Sequence, residues 1–163
     1  GIDGIEKIIK EDSLVRACED GRDKEARWNM MMASTEGAMA FSKGLGAVHS
    51  MSHALGANQE LRLHHGTLNA VILPSVLRFN QNHVENKYTR IARAMGNKVT
   101  TDLADEIEKL NEKIGMPASL SEMDVTEDMI PQLVAHAAND PSNLTTPRLP
   151  SLEEWEKLFL EAL

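Results

Sequence analysis

Cysteine is almost absent from this 163-residue chain, and aromatic residues make up only 4% of it. The single Cys18 cannot form an internal disulfide, which excludes a disulfide-stapled secreted domain and favours a reducing compartment. No apolar run is long enough to span a bilayer, and nothing resembles a signal peptide. We therefore expect a cytoplasmic protein.

Positive charge is also in short supply. The chain has 17 Lys and Arg against 25 Asp and Glu, a net charge of −8. Phosphate backbones and anionic lipid surfaces attract basic proteins, so neither nucleic acid nor a membrane is expected as a partner. Evidence of function must come from individual side chains.

Helix-forming residues are plentiful, and apolar residues recur at steps of three and four without any sustained strand-like alternation. The length suits one domain, so we predict an all-α helical bundle over residues 1–163. Short helices are expected before Gly21, and longer helices over 24–42, 45–56, 66–79, 87–95, 102–114, 127–139 and 152–163. The apolar segment 66–79 is predicted to be the central helix, bent at Pro74.

Local signals refine this picture. Asp23 is a candidate N-cap, and Ser151 with Glu154 has the spacing of a capping box. Residues 140–150 hold three prolines and predict an ordered surface loop or a linker. The run Met30–Met32 is interpreted as core filling, because three consecutive positions point in different directions around a helix.

Four of the six histidines lie between positions 49 and 65. His49 and His53 are four residues apart, so on a helix both imidazoles project from one face, as in helical metal sites. Helix packing would explain that pair equally well, but the downstream His64 and His65 favour metal binding. The two remaining histidines, His83 and His136, are expected to be exposed or to cap helices.

The segment Gly44–Asn80, GLGAVHSMSHALGANQELRLHHGTLNAVILPSVLRFN, resembles the signature of the iron-containing (group III) alcohol dehydrogenases. The shared features are a Gly-rich lead, His-x-x-x-His, Leu-Gly-Ala, His-Gly-x-x-Asn-Ala, Leu-Pro and Phe-Asn. Segments Arg27–Ala38, Ile91–Gly96 and Asp140–Arg148 also look like family positions. The resemblance therefore covers essentially the whole chain.

This resemblance implies a two-domain enzyme with its catalytic cleft between the domains. An N-terminal α/β domain binds NAD or NADP, and a dehydroquinate synthase-like helical C-terminal domain contributes metal ligands. The present sequence looks like the second domain only, and it contains no Gly-x-Gly-x-x-Gly motif. We expect the nucleotide-binding domain to be the partner that is missing.

Residue by residue, the resemblance makes His49 and His65 metal ligands. It makes His53 a non-ligand catalytic residue that relays a proton or orients the substrate. His64 stands where many relatives carry proline. The family's other two ligands form an Asp-x-x-x-His motif, which does not occur before His49, so we expect this chain alone to bind a metal weakly.

The implied chemistry is metal-assisted hydride transfer between NAD(P) and an alcohol, aldehyde or ketone. Fe²⁺ is the favoured metal, and Zn²⁺ also suits histidine ligands. The sequence leaves open the substrate, the choice of NAD or NADP, and whether the protein forms a homo-oligomer. A different class of function is also open, in which the chain is a non-catalytic helical interaction module that keeps the family fold.

Overall fold

The computed structural model describes residues 2–10, 12–84, 86–96 and 102–163, and within these ranges it is helical without strands. The predicted all-α class is confirmed. The α-helices are α1 Ile2–Ile5, α2 Ser13–Glu19, α3 Lys24–Ala40, α4 Ala47–Gly56, α5 His65–Asn80, α6 Lys87–Ala94, α7 Leu103–Lys113, α8 Ile130–Ala138 and α9 Leu152–Ala162. A π-helical turn follows α1, and 3-10 turns lie at 41–43, 81–83, 121–123, 127–129 and 141–145.

The predicted caps are present. The Asp23 carboxylate accepts a hydrogen bond of 3.0 Å from the Ala26 amide at the start of α3. At α9 the Glu154 amide donates to the Ser151 hydroxyl at 3.2 Å, and the Ser151 amide donates to the Glu154 carboxylate at 2.9 Å. These bonds satisfy amide groups that a helix N-terminus otherwise leaves unpaired.

Helix α5 is the centre of the bundle, as the sequence predicted. It packs against α4, α7 and α9, and its Leu68 and Ile72 are completely buried. Helix α9 contributes the buried rings of Trp155 and Phe159 to the same core. Burying each large apolar side chain contributes about 1.5–3 kcal/mol, so this core fixes where α4 and α5 lie.

Helix α3 lies apart from that core and packs mainly on α1 and α2. Only its Ala26 and Ala33 are buried, whereas Trp28, Met31 and Met39 are 62%, 63% and 73% exposed. The expectation of core filling by Met30–Met32 is therefore wrong for Met31. The physical reason is that the described helices pack against only one side of α3.

After α8 the chain crosses α4 through residues 140–146, which we call the strap. Asn143 holds this segment in place, because its side-chain amide donates to the Ala137 carbonyl at 2.8 Å and its oxygen accepts from the Ser50 hydroxyl at 2.7 Å. Thr145 donates to the carbonyl of Leu45. The predicted surface loop is thus hydrogen-bonded to α4 and to Leu45, which precedes that helix.

Among the helices of the described ranges, none has both the length and the apolar character needed to cross a bilayer.

Candidate metal centre

Helices α4 and α5 bring the three sequence-predicted site residues together. His49 and His53 are one turn apart on α4, and their ring centroids are separated by 5.8 Å. His65 begins α5, and its ring centroid lies 5.3 Å from that of His49 and 5.5 Å from that of His53. The eight-residue connection between the helices returns the chain to the same end of the bundle.

The His49 and His65 rings are spaced suitably for one shared metal ion. With metal–nitrogen bonds of about 2 Å and tetrahedral geometry, two imidazole centroids lie roughly 5 Å apart. Within residues 2–10, 12–84, 86–96 and 102–163, however, no three His, Cys, Asp or Glu side chains are placed to hold one metal ion. A metal ion shared by these two rings would need further ligands.

Two polar neighbours orient the His65 ring. The Ser52 hydroxyl donates to the His49 carbonyl at 3.1 Å and lies 3.4 Å from His65 Nδ1, so it can accept the Nδ1 proton. The Asn69 side-chain nitrogen lies 3.1 Å from His65 Nε2 and can donate to it. This pattern places the proton on Nδ1 and leaves Nε2 unprotonated, so Nε2 would become a metal ligand once the Asn69 amide gave up its hydrogen bond.

His53 has a different partner, in the strap. Its Nδ1 lies 3.0 Å from Oδ2 of Asp140, whose side chain is only 8% exposed. Burial opposes the charged form, but hydrogen bonds from Ser142 and His53 outweigh it and lower the Asp140 pKa. Sequence reasoning assigned no individual role to Asp140, which begins the predicted surface loop or linker of residues 140–150.

The surroundings of His49 favour its neutral form. Burial lowers its pKa, and the nearby His65 and His53 lower it further, although Asp140 acts in the opposite direction. A neutral imidazole offers its lone pair to a metal without first losing a proton.

A mostly apolar cleft of about 530 Å³ opens beside His49. Phe41 lies edge-on to the His49 ring at 6.0 Å, and Leu73, Leu77 and Tyr88 line the walls. Burial raises the Tyr88 pKa to about 12, so its hydroxyl stays protonated and donates to the Leu77 carbonyl at 3.2 Å. This cleft places space for a small molecule directly against His49.

The other histidines lie outside the ring cluster. His64 is the N-cap of α5, where its Nδ1 accepts from the Thr67 amide at 3.3 Å. His83 and His136 are exposed, as expected. The structure thus separates three clustered rings from three that serve local or surface roles.

The sequence model of the "Fe-containing alcohol dehydrogenase family, C-terminal" matches residues 2–163. This chain belongs to that family. It is 40% identical over 169 residues to the 4-hydroxybutyrate dehydrogenase of Cupriavidus necator, covering 99% of this chain and 44% of that protein. It is 33% identical over 166 residues to the NAD-dependent methanol dehydrogenase of Bacillus methanolicus, covering 96% and 43%.

Solved structures show the same likeness. A 1,3-propanediol oxidoreductase superposes with a TM-score of 0.92 at 32% identity, covering 99% of this chain and 44% of that one. The family and the helical fold that the histidine signature implied are therefore confirmed. The chain spans less than half the length of the relatives it matches.

Proposed function

We propose that this chain is the metal-binding part of an NAD(P)-dependent alcohol dehydrogenase that interconverts alcohols with aldehydes or ketones. The observation that carries the proposal is the 5.3 Å separation of the His49 and His65 rings at the edge of the apolar cleft. Family membership supports it, since the relatives named above are alcohol dehydrogenases.

Each clustered side chain has a distinct task in this proposal. His49 and His65 would hold a divalent metal, Fe²⁺ or Zn²⁺, with Ser52 orienting His65 through its Nδ1. The bound metal supplies Lewis-acid stabilisation of an alkoxide oxygen. His53, which Asp140 holds, accepts or returns the hydroxyl proton. NAD(P), when bound, would take the hydride that leaves the carbinol carbon of the alcohol.

The cleft favours a short, uncharged carbon chain as substrate. Its walls are mostly apolar, and the residues described as lining it include no Lys or Arg. A hydroxy acid such as the substrate in the name of the Cupriavidus relative would need a cation from outside this lining to pair its carboxylate. We therefore propose simple alcohols and diols as the first substrates to test.

The remaining metal ligands and the nucleotide site are assigned to a separate N-terminal part. The relatives are more than twice as long as the matched segment, so they contain such a part. The exposed apolar side chains of α3, together with Phe41 at 58% exposure, provide surface for it to cover. On this view the 163 residues alone bind metal weakly and are inactive.

The test joins this chain to the N-terminal part of the Cupriavidus relative and measures alcohol-dependent NAD(P)H formation with Fe²⁺ or Zn²⁺ added. We expect activity in the joined protein and a loss of at least about 10²-fold in His49→Ala and His65→Ala. A joined protein that binds nucleotide and one metal ion per chain, yet oxidises no alcohol or diol, would overturn the proposal.

A non-catalytic interaction module is the second candidate, because the exposed Trp28, Met31 and Met39 could also recruit another protein. The two candidates differ in the role of the histidines. The module predicts that no completed form has activity and that substitution of His49 or His65 leaves partner binding unchanged.

A further inference from the structure

We infer that Asp140 is a positioning residue that fixes His53 in the tautomer carrying its proton on Nδ1. The inference comes from the 3.0 Å contact between His53 Nδ1 and Asp140 Oδ2. Its relevance to catalysis rests on the proposed function, but the tautomer itself can be measured without any activity.

Asp140 is restrained on both of its carboxylate oxygens. While Oδ2 faces His53, Oδ1 accepts a hydrogen bond of 2.8 Å from the Ser142 amide at the start of the 3-10 turn. With 8% of its surface exposed, the carboxylate has little water to replace these partners. A carboxylate only accepts hydrogen bonds, so Nδ1 of a neutral His53 must be the protonated nitrogen.

The strap keeps this carboxylate at α4 through two contacts with residues that precede His53 in the chain. Asn143 binds Ser50 one turn before His53, and Thr145 binds the Leu45 carbonyl ahead of the helix. The position of Asp140 therefore does not depend on the His53 contact alone. The arrangement resembles that of catalytic dyads, in which a buried carboxylate selects one imidazole tautomer.

The consequence for His53 is that Nε2 carries the free lone pair. This nitrogen can then accept a proton from a hydroxyl group, whereas the opposite tautomer would present an N–H there. The centroid of the His53 ring lies 5.5–5.8 Å from those of the two rings assigned to the metal, so this imidazole belongs to the same cluster. Asp140 thus acts on the proton path through His53 and not by direct contact with substrate.

The test is the ¹⁵N spectrum of the histidine side chains in the metal-free chain at about pH 8.5, roughly two units above the usual imidazole pKa. Loss of one signal set in His53→Gln assigns the residue. We expect the proton of His53 predominantly on Nδ1. A proton predominantly on Nε2, or an even mixture, would overturn the inference.

Asp140→Asn provides the second arm. Its amide oxygen can keep the Ser142 bond, which turns the amide nitrogen towards His53 as a donor and should move the His53 proton to Nε2. Asp102→Asn is the matched control, since Asp102 likewise accepts from an amide two residues on, Ala104 at 2.8 Å. An unchanged His53 tautomer in folded Asp140→Asn, or the same change in Asp102→Asn, would refute the inference.

The two proposals fail separately. If His53 carries its proton on Nε2 while the joined enzyme is active, only the positioning inference falls. If His53 carries its proton on Nδ1 while the joined enzyme has no activity, the dehydrogenase proposal falls and the positioning remains. If Asp140→Asn does not fold, the wild-type ¹⁵N spectrum still tests the inference, because it reports directly which nitrogen of His53 carries the proton.

Discussion

Replacing Gly44 with alanine should loosen the strap and destabilise the chain. Gly44 has φ +98° and ψ 172°, a conformation nearly confined to glycine. A Cβ at this position would lie 2.2 Å from the Thr145 hydroxyl oxygen and 2.6 Å from its Cβ. The backbone contribution is about 1–3 kcal/mol and the overlap contributes about 1–3 kcal/mol more, so we expect a total loss of about 2–6 kcal/mol.

The assay is thermal and urea unfolding, with two companion variants. A loss of about 2–6 kcal/mol lowers Tm by roughly 4–24 °C in a domain of this size. Thr145→Gly removes the three atoms nearest to the new Cβ, so in the double variant it should recover the overlap contribution and leave the backbone contribution. Gly115→Ala is the control, because φ is +72° there and nothing lies within 4 Å.

We expect Gly115→Ala to cost only about 1–2 kcal/mol. The contact between the strap and Gly44 would be refuted if Gly44→Ala lost no more stability than Gly115→Ala. It would also be refuted if the effects of Gly44→Ala and Thr145→Gly were simply additive in the double variant.

Three further predictions concern the site and the core. Folding lowers the His49 pKa from 6.5, so the unfolded chain binds more protons and the metal-free Tm should fall as pH drops through that range. His49→Gln should flatten this pH dependence and His83→Gln should not; equal slopes in all three proteins would contradict the burial of His49. In urea unfolding, Ile72→Ala should cost about 2–5 kcal/mol, and the exposed Leu152→Ala less than about 0.5 kcal/mol; similar losses would contradict the assigned core. In the joined enzyme, Ser52→Ala should weaken metal affinity about 10–100-fold by titration, and unchanged affinity would remove Ser52 from the site.

The helices were predictable because their determinants are local. The apolar periodicity placed α5 at the centre, and Asp23, Ser151 and Glu154 marked two N-termini through side chains within three residues of the groups they cap. The exposure of Met31 was not predictable in the same way. Burial depends on which helices pack against a face. The apolar periodicity of α3 does not show that its described neighbours pack on the side away from Met31.

In the candidate site, too, local features were predictable from the sequence and long-range contacts were not. His49 and His53 share a face because of their spacing, and the family resemblance added His65. The contacts of Asp140 with His53 and of Asn143 with Ser50 join residues 87 and 93 positions apart, and only the tertiary fold brings them together. The orienting role of Ser52 likewise required the packing of α4 against α5.

The most direct test of the account is the metal content of the joined protein and of its three single alanine variants at His49, His53 and His65, measured after dialysis. The account predicts one divalent ion per chain in the wild type and in His53→Ala, and loss of the ion in His49→Ala and His65→Ala. Retention of the ion by either of the latter two variants, or its loss from His53→Ala to the same extent, would contradict the assignment of His49 and His65 as the histidines that share one metal ion.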